Sequence, residues 1–269
     1  MDLSIIILNY KTRGLLRQCL RGIEQYSLSL AYEVIVVDNA SRDGTREMMV
    51  EEFPHTLFIE TPVNIGFAGG MNRGIRKSRG TYVLLLNTDV AILDNAIGKM
   101  FEYMENHPRV GIAGPRLINP DGSVQLSCYR FPTFMTALWR RTPFGKLPAV
   151  KRRLQKYLML DFDHTVSSAV DWVLGACMIV RRQTFNKIGL LDERYFLYVE
   201  DTDWCRRCWQ ANWEVHYIAH AEMVHYHERK SAETPGLTGI FSYAARIHIT
   251  SWIKYFYKYR GTPNPKHIS

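Results

Sequence analysis

Along the first 115 residues the apolar positions alternate between two patterns. Mainly apolar runs at 3–8, 33–37, 56–60, 81–86 and 110–113 predict strands, and the segments between them carry apolar side chains at every third or fourth place. The helical spacing falls at 15–26, in the stretch after Thr45, at 68–78 and at 94–106. Strands that read as continuous apolar runs are buried on both faces, and strand–helix alternation implies a mostly parallel sheet covered by helices. The fold class expected is α/β.

After Pro115 the pattern changes. Asn119-Pro120-Asp121-Gly122 predicts a hairpin turn. A basic stretch follows, broken by Pro132, Pro143 and Pro148, which reads as an insertion or lobe. Regular structure resumes at 170–181, a helix is predicted at 202–212, and short strands at 215–218 and 223–226. Residues 237–259 predict a last helix with an apolar stripe through Ile240, Tyr243, Ala244, Ile247, Trp252 and Phe256. Docking on the body of the domain is the first setting for it, and a membrane interface the other, because Arg246, Lys254, Lys258 and Arg260 add positive charge beside its aromatics.

Charge sharpens this picture. The net charge is +8, and between Gly122 and Leu160 there are eight Lys and Arg residues and no acid, so that stretch holds the whole surplus. Such a segment points to an anionic surface, whether lipid headgroups, a lipid-linked diphosphate or nucleic acid; a solvated, self-repelling loop is the plainer reading. The five cysteines show no framework spacing, and Cys205-x-x-Cys208 lacks a second pair, so packing thiols in a reducing compartment are expected. The chain enters a strand at once and has no apolar run long enough to span a bilayer, so a cytoplasmic protein, soluble or peripheral at the membrane's inner face, is expected.

The chemistry-bearing residues sit where such a sheet binds ligands, at the carboxyl ends of strands. Asn87-Thr88-Asp89 follows the most apolar run, and Asp89 is placed to meet a divalent cation bridging to a diphosphate. Asp38 ends the second strand, where its carboxylate could accept the imide N–H of uracil or thymine, with Asn39 and Ser41 beside it; a hydrogen-bonded turn is the alternative. Asn64, Gly66 and Asn72 belong to a glycine-bearing loop that opens a helix, a setting that suits a nucleotide. Glu200-Asp201-Thr202-Asp203 offers a general base or simply a well-capped helix, with Asp203 facing elsewhere. His225 and His227 share a strand face if that strand extends.

In order, the stretches Ser4–Tyr10, Val36–Thr45, Asn64–Ala68, Leu86–Asp89, Gly175–Met178, Gly189–Glu193 and Glu200–Asp203 make the chain resemble an inverting family-2 glycosyltransferase of the GT-A fold, in its bacterial rhamnosyltransferase-like branch. The resemblance implies a Rossmann-like mixed sheet flanked by helices, carrying a basic insertion and a C-terminal amphipathic helix. It implies a domain at 1–228, with a nucleotide-binding half at 1–115, an acceptor and catalytic half at 116–228 holding the insertion at 130–165, and a helical extension at 229–269.

It also assigns roles. Asp38 contacts the pyrimidine, with Asn9, Tyr10 and Asn39 in the same pocket; Asn64, Gly66, Asn72, Asn87 and Thr88 adjoin the nucleotide. Asp89 binds Mn2+ or Mg2+ with His225, and Trp172, Gly175 and Ala176 shape the donor and acceptor pocket. Asp201 matches the base position, with Glu200 one residue out of register. Asn-Thr-Asp departs from the commoner Asp-x-Asp. The implied partners are a dTDP- or UDP-sugar, dTDP-rhamnose first, and a saccharide or lipid-linked acceptor of cell-surface polysaccharide synthesis, with an anionic membrane surface beside it. Two rivals differ in class. A sugar nucleotidyltransferase needs a basic glycine-rich loop for which Lys11-Thr12-Arg13-Gly14 is a poor match. A non-catalytic module binding nucleic acid or another polyanion explains the basic stretch but leaves Asp38, Asp89 and Asp201 without a purpose.

Overall fold

Ile5, Ile6 and Ile7 are wholly buried, and so are Val83, Leu84, Leu85 and Leu86, which requires cover on both faces of the strands that carry them. The computed structural model describes residues 1–26, 29–140, 142–226 and 243–265. Its first part follows the apolar pattern through β1 (Leu3–Asn9), α1 (Arg13–Gln25), β2 (Tyr32–Asp38), α2 (Thr45–Glu52), β3 (Leu57–Glu60), α3 (Gly66–Lys77) and β4 (Tyr82–Asn87). Next come β5 (Val90–Ile92), α4 (Ala96–Asn106) and β6 (Val110–Ile118). The second part runs through β7 (Val124–Gln125), β8 (Cys128–Tyr129), α5 (Phe134–Trp139), a 3-10 turn (Pro143–Lys146), α6 (Pro148–Tyr157), β9 (Ser168–Ala169) and β10 (Trp172–Val173). It ends with β11 (Cys177–Arg181), α7 (Arg182–Ile188), α8 (Glu200–Gln210), β12 (Glu214–His225) and α9 (Tyr243–Lys258).

The main sheet has the order β3-β2-β1-β4-β11-β6-β12-β5. Its β3-β2-β1-β4 portion is parallel, as the alternation predicts. The other portion is not. β11 runs antiparallel to both β4 and β6, and β5 antiparallel to β12, so the sheet is mixed. One face packs Leu16, Leu20 and Ile23 of α1 and Met100 of α4; the other packs Met71 and Ile75 of α3 and Trp204 of α8. All five cysteines are buried free thiols, in keeping with the packing reading.

One local expectation changes, and two alternatives are decided in favour of the first reading. The separate strands at 215–218 and 223–226 are one strand, β12, with register irregularities along its pairing with β6. The proline-broken basic stretch is not a loop but a small helical lobe, since Pro143 and Pro148 stand in the first turns of the 3-10 turn and of α6, where a missing N–H costs nothing. The last helix docks on the body. Tyr255 is fully buried against Tyr195 and Val199, Ser251 Oγ donates to Leu197 O at 2.9 Å, and Lys258 Nζ donates to the buried Asp203 carboxylate at 2.6 Å. The predicted start of that helix at 237–242, like His227, lies outside the described residues. No helix among the described residues is long and apolar enough to cross a membrane.

Candidate active site

The carboxyl ends of β1, β2 and β4 open onto a cleft of about 1110 Å³. Its walls are residues 10–15 after β1, Asn39, the Asn64–Phe67 turn, Asn87-Thr88-Asp89, Phe196 and Leu197, and His225 with Tyr226. This is the place where open α/β sheets bind ligands, and the volume suits a molecule of nucleotide-sugar size.

Asp89 and His225 meet through strand register. The chain turns at Thr88–Asp89 straight into β5, and β5 pairs antiparallel with the end of β12 so that Val90 lies opposite His225. His225 Nε2 thereby stands 3.5 Å from Asp89 Oδ1, a buried carboxylate oxygen with no hydrogen-bond partner. On its other side, His225 Nδ1 is 2.6 Å from Gln125 Oε1 of β7. Gln125 Oε1 only accepts, so Nδ1 donates to it, and Nε2 is the ring nitrogen on the Asp89 side. Two ligands of one octahedral cation at ~2.1 Å lie about 3 Å apart, so this oxygen and nitrogen fit a shared Mg2+ or Mn2+ after a small adjustment. Among the described residues no third His, Cys, Asp or Glu joins them, so a bound cation would take its other ligands from phosphate oxygens and water. Gln125 has no sequence signal, because it acts only through the histidine that β7 brings beside it. Gln125→Ala is expected to weaken Mn2+ binding about 10- to 100-fold, as loss of an orienting partner does elsewhere. A Mn2+ titration in the presence of nucleoside diphosphate checks this, and unchanged affinity would contradict the orienting role.

Asp38 forms the hydrogen-bonded turn that was its alternative setting. Its Oδ1 accepts from Asn9 Nδ2 at 2.7 Å and its Oδ2 from the Ser41 backbone N–H at 2.9 Å. It borders a smaller hollow with Thr45 and Thr61, and Asn39 rather than Asp38 forms the wall of the main cleft. Asn9 is also buried, and its Oδ1 accepts from Thr12 Oγ1 at 2.8 Å, which in turn lies 3.0 Å from Thr88 Oγ1. The Asp38–Asn9–Thr12–Thr88 chain therefore ties the second strand end to the Asn-Thr-Asp turn.

Asn39 Nδ2 donates to Asn64 Oδ1 at 2.9 Å and to Gly66 O at 3.1 Å, closing the glycine loop. Gly66 adopts φ +79°, and a Cβ there would lie 2.4 Å from Phe196 O. Gly66→Ala combines left-handed strain of roughly 1–3 kcal/mol with a backbone clash. The expected result is a lower melting temperature and a raised donor KM, and a variant with both values unchanged would show that the close approach is unimportant. Asn72 faces away from the cleft. Its Nδ2 donates to Leu191 O at 2.8 Å and its Oδ1 accepts from Leu191 N at 3.1 Å, so the buried amide anchors the loop before α8 and does not reach a nucleotide.

Glu200 and Asp201 are both buried at the start of α8, beside the main cleft and outside its lining. Asp201 Oδ2 accepts from Gly175 N at 3.0 Å, and Ala176 O accepts from Asn87 N at 2.9 Å, so one turn separates Asp201 from the Asn-Thr-Asp segment. Burial pushes the Asp201 carboxyl above the usual aspartate range, against the lowering effect of the Gly175 and Thr202 N–H groups. Burial, and then the charge of Asp201, push Glu200 well up, and its Oε2 has no hydrogen-bond partner. Tyr198 and Val199 just before them take φ +67° and +75°, a backbone that a β-branched residue adopts only when its surroundings force it. Ser251 of α9 holds the Leu197 carbonyl and Phe67 N donates to Phe196 O at 2.7 Å, so α9 and the glycine loop clamp this segment from two sides. Trp172 stacks on Tyr129 at 4.4 Å and donates to Arg130 O, which makes it a wall behind Gly175 and not a cleft residue. Lys11 and Arg13, by contrast, line the main cleft and give it positive charge. The poor glycine-loop match of that segment hid them, although the end of β1 was the place to look.

The sequence matches the glycosyl transferase family 2 profile over residues 4–188. The chain belongs to that family. It is a nucleotide-sugar-dependent glycosyltransferase with rhamnosyltransferase-like relatives. It is 29% identical over 250 residues to an N-acetylglucosaminyl-diphospho-decaprenol L-rhamnosyltransferase of Mycobacterium tuberculosis, covering 84% of this chain and 76% of that one. It is 27% identical to the dTDP-rhamnosyl transferase RfbF of Shigella flexneri, over 85% and 68% of the two chains. Its fold is similar to that of a mannosyltransferase of Pyrobaculum calidifontis solved with GDP-Man and Mn2+, with a TM-score of 0.59 at 16% identity. That match covers 85% of this chain, which spans 58% of the solved chain. The mixed sheet is thus the GT-A fold that the motif order implies.

Proposed function

We propose that this glycosyltransferase moves rhamnose, or another hexose, from a dTDP- or UDP-linked donor to a hydroxyl of a saccharide or lipid-linked acceptor, with inversion, in cell-surface polysaccharide synthesis. The observation that carries the reading is the partnerless Asp89 oxygen facing His225 in a cleft of nucleotide-sugar size. Asp89 and His225 would hold a Mn2+ or Mg2+ ion, which supplies charge stabilisation on the departing diphosphate when bound. The relative that acts on a decaprenol diphosphate sugar supports a lipid-linked acceptor, and with it a place at the inner face of the cytoplasmic membrane.

The chain's own residues do the rest. Lys11 and Arg13 face the diphosphate from the β1 side of the cleft. Asn39, Asn64 and Tyr10 bound the nucleoside, and Asp38 fixes the loop that carries Asn39 while keeping lone pairs for a pyrimidine imide. Asp201, which keeps 8% of its surface exposed beside Gly175, takes the acceptor proton as the hydroxyl attacks the anomeric carbon from the face opposite the diphosphate. The Gly175–Ala176 turn, which touches both Asp201 and Asn87, sets the distance between base and donor. A donor panel with Mn2+ or Mg2+, scored by release of nucleoside diphosphate onto saccharide acceptors, tests the proposal. Release of pyrophosphate from a nucleoside triphosphate, with no sugar transfer, would refute it.

A further inference from the structure

The lobe made by α5, the 3-10 turn and α6 lines no part of the cleft and is tied to the core through Tyr157 at the end of α6. Phe134, Leu138, Phe144 and Leu147 leave 61%, 45%, 62% and 53% of their surface exposed, which gathers large apolar side chains on one small segment. Next to them, α6 exposes Lys151, Arg152 and Lys156 in a stretch with no acid from Gly122 to Leu160. The apolar patch continues onto α9, since Phe134 meets Phe256 edge-on at 5.6 Å and Ile253 and Tyr257 of that helix are exposed.

We infer that this lobe, with the outer face of α9, is a docking platform for an anionic lipid bilayer surface. Apolar and aromatic side chains enter the acyl boundary while neighbouring Lys and Arg remain among the headgroups, and the two features reinforce each other only on a membrane. A nucleic acid would match the cations but leave the apolar side chains in water. A protein partner would match the apolar patch but gives no reason for a run of eight cations without one acid.

The position of the lobe deepens the proposed function, on which this inference rests for its purpose. Tyr157 of α6 packs on Tyr129 at 6.0 Å, Tyr129 stacks on Trp172, and the turn after Trp172 holds Asp201 through Gly175. On the other side, α9 holds the carbonyl of Leu197 just ahead of Asp201. A bilayer seated on the lobe and α9 therefore lies against the two elements that bracket the proposed base. A lipid-linked acceptor then reaches Asp201 along the surface without leaving the membrane.

The test is co-flotation of the full chain with phosphatidylglycerol–phosphatidylcholine vesicles and with pure phosphatidylcholine vesicles. The native chain is expected on the former and largely absent from the latter. Replacing Lys151, Arg152 and Lys156 by Gln is expected to weaken binding to the anionic vesicles on the order of 100-fold. Phe134→Ser with Phe144→Ser is expected to weaken it by about tenfold or more. Both sets should leave transfer to a water-soluble saccharide acceptor unchanged. Binding that is equal for native and variant chains, or retention on DNA in place of vesicles, would overturn the platform. Asp201→Asn and Asp89→Asn should still float. Flotation by a chain that turns over no sugar nucleotide would therefore sink the catalytic reading alone.

Discussion

Asp201→Asn is expected to lower kcat by about 10² to 10⁴ with little change in donor KM, because it removes the group that accepts the acceptor's proton. The substitution keeps an oxygen for the Gly175 N–H, so the turn beside the donor should survive. The pH profile supplies the second signature. Burial raises the carboxyl of Asp201, and a protonated carboxyl cannot serve as base. The native rate should thus fall with decreasing pH at values above the usual ~3.9 of aspartate, and that acid limb should vanish in Asp201→Asn. Glu200→Gln decides the register. If Asp201 is the base, this neighbour keeps most of its turnover; a large loss there with a mild one in Asp201→Asn would transfer the role to Glu200.

Glu200→Gln also has a stability consequence whose sign follows from burial. Glu200 is raised in the folded protein, so above the unfolded carboxyl range of about 4 the folded state binds more protons than the unfolded one. Stability contributed by this group is present below that range and is lost as pH climbs through the raised value. Thermal unfolding of Glu200→Gln should show a higher melting temperature than the native chain at neutral pH and no gain below about pH 4.

Asp89→Asn is expected to reduce turnover by about 10² to 10³, the loss typical of removing one charged stabiliser from a developing anion. The native Asp89 Oδ1 is buried without a hydrogen-bond partner and faces His225 at 3.5 Å. An amide in its place contributes no charge to a divalent cation, so saturation by Mn2+ should shift to much higher concentration or disappear. Steady-state rates across a Mn2+ series, with calorimetry of Mn2+ binding to the nucleotide-bound protein, check both parts. A variant with native rate and native Mn2+ dependence would remove Asp89 from the site. This loss should far exceed that of Gln125→Ala, which disturbs only the orientation of the histidine.

By itself the sequence determined the parallel part of the sheet and the placing of polar residues at its carboxyl edge. The runs that became β1 and β4 are apolar at nearly every position before their polar ends because both faces are covered, and local composition reports that directly. Asp38 and Asn87-Thr88-Asp89 fall at strand ends for the same local reason. What only the tertiary structure decided are pairings between distant segments. β5 is three residues long, too short to leave a period, yet its register opposite β12 is what brings His225 to Asp89. Gln125 behind that histidine and Leu191 on Asn72 are likewise products of packing between segments far apart in the chain. Asp38 and Asp201 were legible as polar residues at element ends, but not that hydrogen bonds to Asn9, Ser41 and Gly175 would fix both carboxylates beside the main cleft. The apolar stripe of α9 announced a buried face, but Asp203 receiving Lys258 fixed what that face is buried against. Periodicity records the environment of each residue along its own strand or helix, whereas register and docking arise from surfaces that meet only after the chain has folded.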